Sequence, residues 1–240
     1  MHCIILAAGI SSRLRPLTDT TPKCLLPVGR QTIIERALRS VFHGGIIHFT
    51  IVVGFQHWMV MNFVKKSFPS FNIEFIENKE YASTNNAYSL LLALRHVKTE
   101  PILLLDSDVL FETGIVRLLK KSHHPNCLAV RTNGEIGAED IKVTVDEHQR
   151  ITAIGKELAL SSAFGESIGI EKFSQEGALT LTEILERRIA ASEGKNEFYE
   201  AAFQEMIAAG HSIHAVDTGE RRCIEVDTQD DLHRAEILFP

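Results

Sequence analysis

The sequence has only four cysteines, and no two of them form a C-x-x-C pair. This scarcity argues against both a disulfide framework and a zinc site, so we expect reduced, mostly buried thiols at Cys3, Cys24, Cys127 and Cys223. The eleven histidines contain no i, i+4 pair of the kind that binds metals on a helix. We therefore assign no histidine to chemistry.

A membrane span is also missing, because no uninterrupted apolar stretch approaches the roughly 20 residues that cross a bilayer. The apolar start, residues 1–9, is too short for a signal peptide and has no basic leading segment, so we predict a buried strand there. From these absences we expect a cytoplasmic protein with no membrane partner.

An excess of basic residues is absent as well. The chain has 31 acidic residues against 25 lysines and arginines, a formal charge of -6. This balance argues against a nucleic-acid-binding surface and favours small-molecule partners. With 240 residues, of which 45% are hydrophobic, the chain is long enough to bury one large core, and we expect a single domain over residues 1–240.

Short apolar runs alternate with amphipathic segments, which is typical of β-α units in a mainly parallel sheet. In the first half the pattern predicts strands at 3–7, 46–53, 73–77 and 102–105, and helices at 33–42, 57–66, 86–96 and 113–122. In the second half it predicts strands at 127–131, 141–145, 151–155, 166–172 and 214–217, and helices at 174–192, 199–209 and from 229. The strands at 141–145 and 151–155 form a predicted hairpin, which makes the sheet mixed.

The most informative segment follows the first strand and reads LAAGISSRLRPLT at 6–18, with Thr-Pro-Lys at 21–23. Small residues around Gly9 let backbone N–H groups approach phosphate oxygens, and Arg13 and Lys23 supply positive charge. Isolated basic residues are more often merely solvated, but the strand, the glycine and both cations agree here. We predict a triphosphate site whose loop contacts come from Leu6, Ala7, Ala8, Gly9, Ser11 and Ser12.

Two pairs of acids come at the ends of predicted strands. Asp106 and Asp108 follow a buried run, and Glu225 and Asp227 lie late in the chain. Carboxylate oxygens at a strand end suit Mg²⁺, and Asp108 is our first choice as ligand. Either pair has an ordinary alternative, since Asp106 or Asp108 can cap the helix that follows and Asp227 can cap the one from Gln229.

The loop at 6–23 resembles the signature of the nucleoside-triphosphate transferase family, and the stretches 78–92, 140–145, 154–158 and 165–170 resemble its phosphocholine cytidylyltransferase-like branch. The resemblance implies a Rossmann-like three-layer αβα nucleotidyltransferase fold with a mixed, mainly parallel central sheet. It implies a nucleotide-binding half over 1–125 and an acceptor-binding, metal-completing half over 126–240. It also implies that Asp227 joins Asp108 at Mg²⁺, with Arg13 and Lys23 as catalytic cations.

Further roles follow from the same resemblance. The expected nucleotide contacts beyond the loop are Gly54, Asn85, Asn86, Ser89 and Asp106, although either asparagine can simply cap a helix. The expected acceptor contacts are Tyr81, Lys142, Lys156, Glu166 and Glu225. Lys142 or Lys156 would neutralise the acceptor phosphate, and Glu166 would face its headgroup.

The implied reaction transfers CMP from CTP to a small phosphorylated acceptor and releases pyrophosphate. Phosphocholine, another phosphorylated amino alcohol, a phosphonate or an inositol phosphate are the acceptors in view. Three alternatives stay open: nucleotidyl transfer, especially uridylyl transfer, to a sugar 1-phosphate, an Asp-x-Asp glycosyltransferase, and a module that binds nucleotide without turnover.

Overall fold

The first half of the chain folds as the alternating pattern predicts. The computed structural model describes residues 1–98, 100–191 and 194–240. The elements of this half are β1 (His2–Ala7), β2 (Pro27–Val28), β3 (Gln31–Thr32), α1 (Ile33–His43), β4 (His48–Val53), α2 (His57–Ser67), β5 (Asn72–Glu77), α3 (Asn86–Val97), β6 (Ile102–Asp106), β7 (Val109–Phe111) and α4 (Thr113–Lys121).

The second half supplies the remaining strands and three helices. Its elements are β8 (Cys127–Arg131), β9 (Lys142–Val145), β10 (Ile151–Gly155), β11 (Gly165–Phe173), α5 (Gln175–Ala190), α6 (Glu200–Ala208), β12 (His214–Asp217), β13 (Cys223–Glu225) and α7 (Gln229–Leu238). The predicted end of α5 at Ser192 lies outside the described residues.

One nine-stranded sheet runs through the molecule. Strands β5, β4, β1 and β6 are parallel neighbours, and β11 joins β6 in the antiparallel sense. Strands β9 and β10 form the predicted antiparallel hairpin, while β12 adds to β8 in parallel. Because β10 and β11 run opposite to the rest, the sheet is mixed and mainly parallel, which confirms the predicted fold class.

Both faces of the sheet are buried, as expected for parallel strands covered by helices. Successive side chains of a strand point to opposite faces, so Ile4 and Leu6 of β1 pack with α3, α5 and α6. Cys3 and Ile5 pack on the other face with α1, α2 and α4. Burying each isoleucine or leucine side chain contributes about 1.5–3 kcal/mol, so the two helical layers hold β1 and β6 in place.

A second, two-stranded sheet was not predicted in full, because β7 has only three residues. Strands β7 and β13 pair antiparallel, and Val226 N–H donates to Asp108 O at 3.1 Å. Leu14, Leu110 and Val226 share a third core cluster beside it. This small sheet therefore holds the late strand next to β6 and to the loop after β1.

All four cysteines are free thiols, and all but Cys223 are buried, as predicted. Within the described ranges, no helix has the length and apolar character needed to cross a membrane.

Candidate active site

The loop after β1 is folded tightly at the carboxyl end of the sheet. Thr18 Oγ1 donates to Ser11 O at 2.7 Å, and Ser11 takes a left-handed conformation with φ of 55°. A short 3₁₀ helix, Ser12–Leu14, follows and buries Leu14 completely. Because Leu14 is anchored in the core, its neighbour Arg13 projects outward with its side chain 58% exposed.

The two cations of this region converge on the two predicted metal ligands. Lys23 Nζ lies 2.9 Å from Asp108 Oδ2 and 2.6 Å from Asp227 Oδ1, and the lysine is buried. Arg13 Nη2 lies 2.6 Å from Asp227 Oδ2. The fold therefore brings together charges from the loop after β1, from the turn between β6 and β7 and from the chain after β13.

The charges in this cluster support one another. Burial disfavours the ammonium form of Lys23, but Asp108 and Asp227 outweigh that effect and raise the pKa of the lysine. Burial also opposes ionisation of Asp227, yet Lys23 and Arg13 hold the pKa of its carboxyl below its usual value. Lys23 and Asp227 are therefore both charged at neutral pH.

Three carboxylates of this cluster fit a hard divalent cation. One oxygen each from Asp108, Glu225 and Asp227 lie within 4.8 Å of one another. Asp108 Oδ1 is buried and has no hydrogen-bond partner in the part of the chain that the structure describes. The Lys23 ammonium bridges Asp108 and Asp227, and it supplies there the positive charge that a metal ion would otherwise supply. Oxygen donors at this spacing suit Mg²⁺.

Helix capping does not account for these acids. Thr228, not Asp227, caps α7, and it forms a capping box with Asp231. The residue before α4 is Glu112, and no side chain of the described residues caps that helix. Asp108 and Asp227 are therefore left to the charged cluster.

A second wall of the cleft is built around the start of α3. Asn85 caps this helix by accepting from Asn86 N–H at 2.8 Å, so the capping role that the sequence left open applies to Asn85. Asn86 Oδ1 accepts from Tyr199 N–H at 2.9 Å. Buried Asn78 donates to Ser89 Oγ at 3.0 Å, a contact that sequence reasoning did not anticipate. These bonds fix the amides and hydroxyls that line the cleft.

The start of α6 closes the cleft from the far side. Tyr199 is fully buried, and its hydroxyl donates to Asp106 Oδ2 at 2.7 Å. Burial, reinforced by the charges of Asp108 and Glu200, raises the pKa of Asp106 well above its usual value. Sequence reasoning missed Phe198, Tyr199 and Glu200, because they are indistinguishable from the start of an ordinary amphipathic helix.

Together these walls enclose a cleft of about 320 Å³. Of the predicted site residues, it is lined by Leu6, Ala7, Ala8, Gly9, Ser11, Arg13, Lys23, Tyr81, Asn85, Asn86, Ser89, Asp106, Asp108, Lys156, Glu225 and Asp227. The structure does not bring Ser12, Gly54, Lys142 or Glu166 to its lining.

Each of these four residues has a physical reason for its position. Ser12 is on the exposed side of the loop. A Cβ on Gly54 would lie 2.6 Å from Tyr81 Cβ, so this glycine allows close packing behind the cleft. Buried Lys142 donates to Ala138 O at 2.7 Å. Glu166 accepts from Arg131 Nε at 2.9 Å across the β8–β11 pair. The predicted acceptor contacts at Lys142 and Glu166 are therefore committed to the protein itself.

Known proteins resemble the chain over nearly its whole length. It is 26% identical over 251 residues to the CMP-5'-(3-aminopropyl)phosphonate synthase of Streptomyces rubellomurinus, covering 100% of this chain but only 39% of that protein. It is 25% identical to the 2-aminoethylphosphonate cytidylyltransferase of Lancefieldella rimae, covering 96% and 90% of the two chains.

A solved structure shares the fold. The CTP:phosphocholine cytidylyltransferase from Streptococcus pneumoniae superimposes with a TM-score of 0.80 at 18% identity, over 100% of this chain and 99% of the other. The family model for the MobA-like NTP transferase domain matches residues 3–218, which include the loop after β1, β6 and the start of α6. The chain therefore belongs to the MobA-like NTP transferase domain family.

Proposed function

We propose that the protein is a magnesium-dependent cytidylyltransferase that transfers CMP from CTP to a small phosphorylated or phosphonate acceptor. The observation that carries the proposal is the charged cluster in the cleft. There Lys23 contacts both Asp108 and Asp227, and Arg13 contacts Asp227. The choice of CTP is supported by the cytidylyltransferases among the relatives.

In the proposed reaction an oxygen of the acceptor attacks the α-phosphorus of CTP in line. The bond from the α-phosphorus to the bridging oxygen of the β-phosphate breaks, and pyrophosphate leaves with that electron pair. A phosphate monoester is already largely a dianion at neutral pH, so the acceptor needs no histidine to activate it.

The residues of the cleft mainly compensate charge. Two unit charges of the same sign about 4 Å apart repel by about 1 kcal/mol in water and about 4 kcal/mol at an effective dielectric near 20. Arg13 and Lys23 offset this repulsion by exchanging their carboxylate partners for phosphate oxygens. Asp108, Asp227 and Glu225 would hold Mg²⁺, which supplies further positive charge to the phosphates when bound.

A matrix of nucleotides against acceptors tests the proposal. Purified protein with Mg²⁺ is incubated with each of the four ribonucleoside triphosphates and with amine phosphonates, inositol phosphate or sugar 1-phosphates, and pyrophosphate release is measured. We expect release only when CTP and a phosphorylated or phosphonate acceptor are both present. A preference for UTP with a sugar 1-phosphate would contradict the cytidylyl assignment, and nucleotide binding without release would contradict the enzyme assignment.

A further inference from the structure

Glu200, the first residue of α6, is a buried carboxylate that lines the cleft without a hydrogen-bond partner for one of its oxygens. The residue is 8% exposed, and Oε2 accepts from no donor in residues 1–98, 100–191 and 194–240. Burial raises the pKa of Glu200 to about 7, although its own backbone N–H and the charge of Lys156 act in the opposite direction. An unpaired buried carboxylate is costly, so the ionised form of Glu200 favours a donor or a cation that comes from a ligand in the cleft.

The acids next to Glu200 disfavour one another's ionised forms. Burial, together with the charges of Asp106 and Glu200, raises the pKa of Glu171, and neither Glu171 oxygen has a partner among the described residues. The Tyr199 hydroxyl is already donated to Asp106. A cation in the cleft would offset this mutual repulsion and stabilise the ionised form of Glu200.

The nearest lysine does not serve as that cation. Lys156 Nζ lies 4.9 Å from the centre of the Phe198 ring and 3.7 Å from Glu139 Oε2. It lowers the pKa of Glu200 only through its charge at a distance. Since none of the described residues is a partner for Glu200, we look for that partner in the occupant of the cleft.

The chemistry of the wall selects among possible headgroups. A primary ammonium has three N–H donors and one positive charge, and both match an unpartnered carboxylate oxygen. A quaternary ammonium has no donor and is recognised by several aromatic faces. Among the described lining residues, the aromatic rings are those of Tyr81 and Phe198, and Lys156 already covers the Phe198 ring. A neutral hydroxyl would leave the charge unbalanced.

We propose that Glu200 is the specificity-determining residue of the acceptor site and binds a primary ammonium group of the acceptor, in preference to a quaternary ammonium or a hydroxyl. This inference rests on the proposed cytidylyl transfer for its context. The acceptor is then a short aminoalkyl phosphonate or phosphate, with its phosphorus at the charged cluster and its ammonium at Glu200.

The test compares three acceptors that differ only in the headgroup: 2-aminoethylphosphonate, its trimethylammonium analogue and 2-hydroxyethylphosphonate. We expect the wild-type protein to favour the primary amine by at least about tenfold in kcat/KM. In Glu200→Gln, kcat/KM for the amine should fall by about tenfold to a hundredfold, because a hydrogen bond between two charged groups is lost. The value for the hydroxyl compound should change by less than about threefold.

Glu176→Gln is the matched control, because Glu176 is also a glutamate in the first turn of a helix but is exposed. It should leave the preference for the amine unchanged. Equal use of the three acceptors by the wild-type protein, a preference for the trimethylammonium compound, or an unchanged preference in Glu200→Gln would each overturn the inference.

A binding measurement separates this inference from the proposed reaction. If no acceptor is turned over, calorimetry in the presence of CTP compares 2-aminoethylphosphonate with ethylphosphonate. Tighter binding of the amine that disappears in Glu200→Gln would support the ammonium site while refuting the transfer. Equal binding of the two compounds would overturn the ammonium site.

Discussion

The carboxylates at the two ends of the cleft differ in their pairing with cations. At the charged cluster, Asp108 and Asp227 are paired with Lys23, and Arg13 adds a second cation. At the start of α6, Glu200 is buried with one oxygen unpartnered in the described chain. Removing charges from water is costly unless they are paired. In the proposed function the paired end exchanges its protein cations for a metal and phosphates, whereas Glu200, without a cation partner among the described residues, pairs with a cation of the acceptor.

The largest effect is expected at the paired end. Asp108→Asn and Asp227→Asn each remove a negative charge from the proposed metal site, so Mg²⁺-dependent turnover should fall by about a thousandfold or more. The measurement is pyrophosphate release at saturating CTP, accompanied by thermal melts. Asp230→Asn, an exposed neighbour in the first turn of α7, is the control and should retain activity. Turnover close to wild type in both cluster variants would refute the metal assignment.

Arg13→Ala should give the next largest effect. The arginine is exposed and contacts Asp227 from the loop, so its guanidinium can bind the negative charge that develops on the departing pyrophosphate. We expect kcat to fall by about a hundredfold to a thousandfold, as when a preorganised donor to a transition state is removed. Arg15→Ala, which loses only an exposed contact with Asp19, should have little effect. A change in KM alone would refute the transition-state role of Arg13 and would indicate a phosphate contact that is already made in the ground state.

The effect of Glu200→Gln on stability tests the contrast between the paired and the unpaired end of the cleft. The folded-state pKa of Glu200 is about 7, above its ordinary value of 4.5, so the native state holds the proton more tightly than the unfolded state. The stability of the wild-type protein should therefore fall as pH rises from about 4.5 to about 7 and stay lower above that. A pKa difference of this size corresponds to about 3 kcal/mol. At pH 8 the free energy of unfolding of Glu200→Gln should therefore be higher than that of the wild type by up to that amount.

Chemical denaturation at pH 5 and pH 8 measures this effect. Most of the difference between variant and wild type should disappear at pH 5, where the wild-type carboxyl is protonated in the folded state. The same difference at both pH values would show that Glu200 is not a buried unpaired acid.

Thr228→Ala should give the smallest effect and separate stability from chemistry. Removing the hydroxyl takes away the cap of α7, which typically costs about 1 kcal/mol. The melting temperature should fall, while kcat at a temperature well below the melt should remain within about threefold of wild type. A loss of activity as large as that of Asp227→Asn would show that the cap, and not the charge, controls the site.

Much of the fold was predictable because its signals are local. The apolar run of β1 and the helical stripe of α1 are patterns of a few residues, and the hairpin of β9 and β10 depends on a short turn. Strand β7 escaped prediction because three residues carry too little pattern. Its pairing with β13 joins segments more than a hundred positions apart, which no local signal specifies.

The site was predictable where one motif carried several groups together. Arg13 and Lys23 share one loop, and the two strand-end aspartates were each recognisable, but their meeting at Lys23 depends on the small sheet of β7 and β13. Glu166, a predicted headgroup contact, is paired with Arg131 on a neighbouring strand, and no local signal in the sequence specifies that pairing. Glu200 was missed because burial, not residue type, distinguishes it from exposed glutamates at helix starts.

The reaction itself can be followed by ³¹P NMR of the purified protein mixed with CTP, Mg²⁺ and 2-aminoethylphosphonate. We expect one new P–O–P linkage to the phosphonate for each molecule of inorganic pyrophosphate released, and no such product in Asp227→Asn. Unchanged CTP, or release of CMP and pyrophosphate without a phosphonate adduct, would show that this cleft does not join a nucleotide to a phosphonate acceptor.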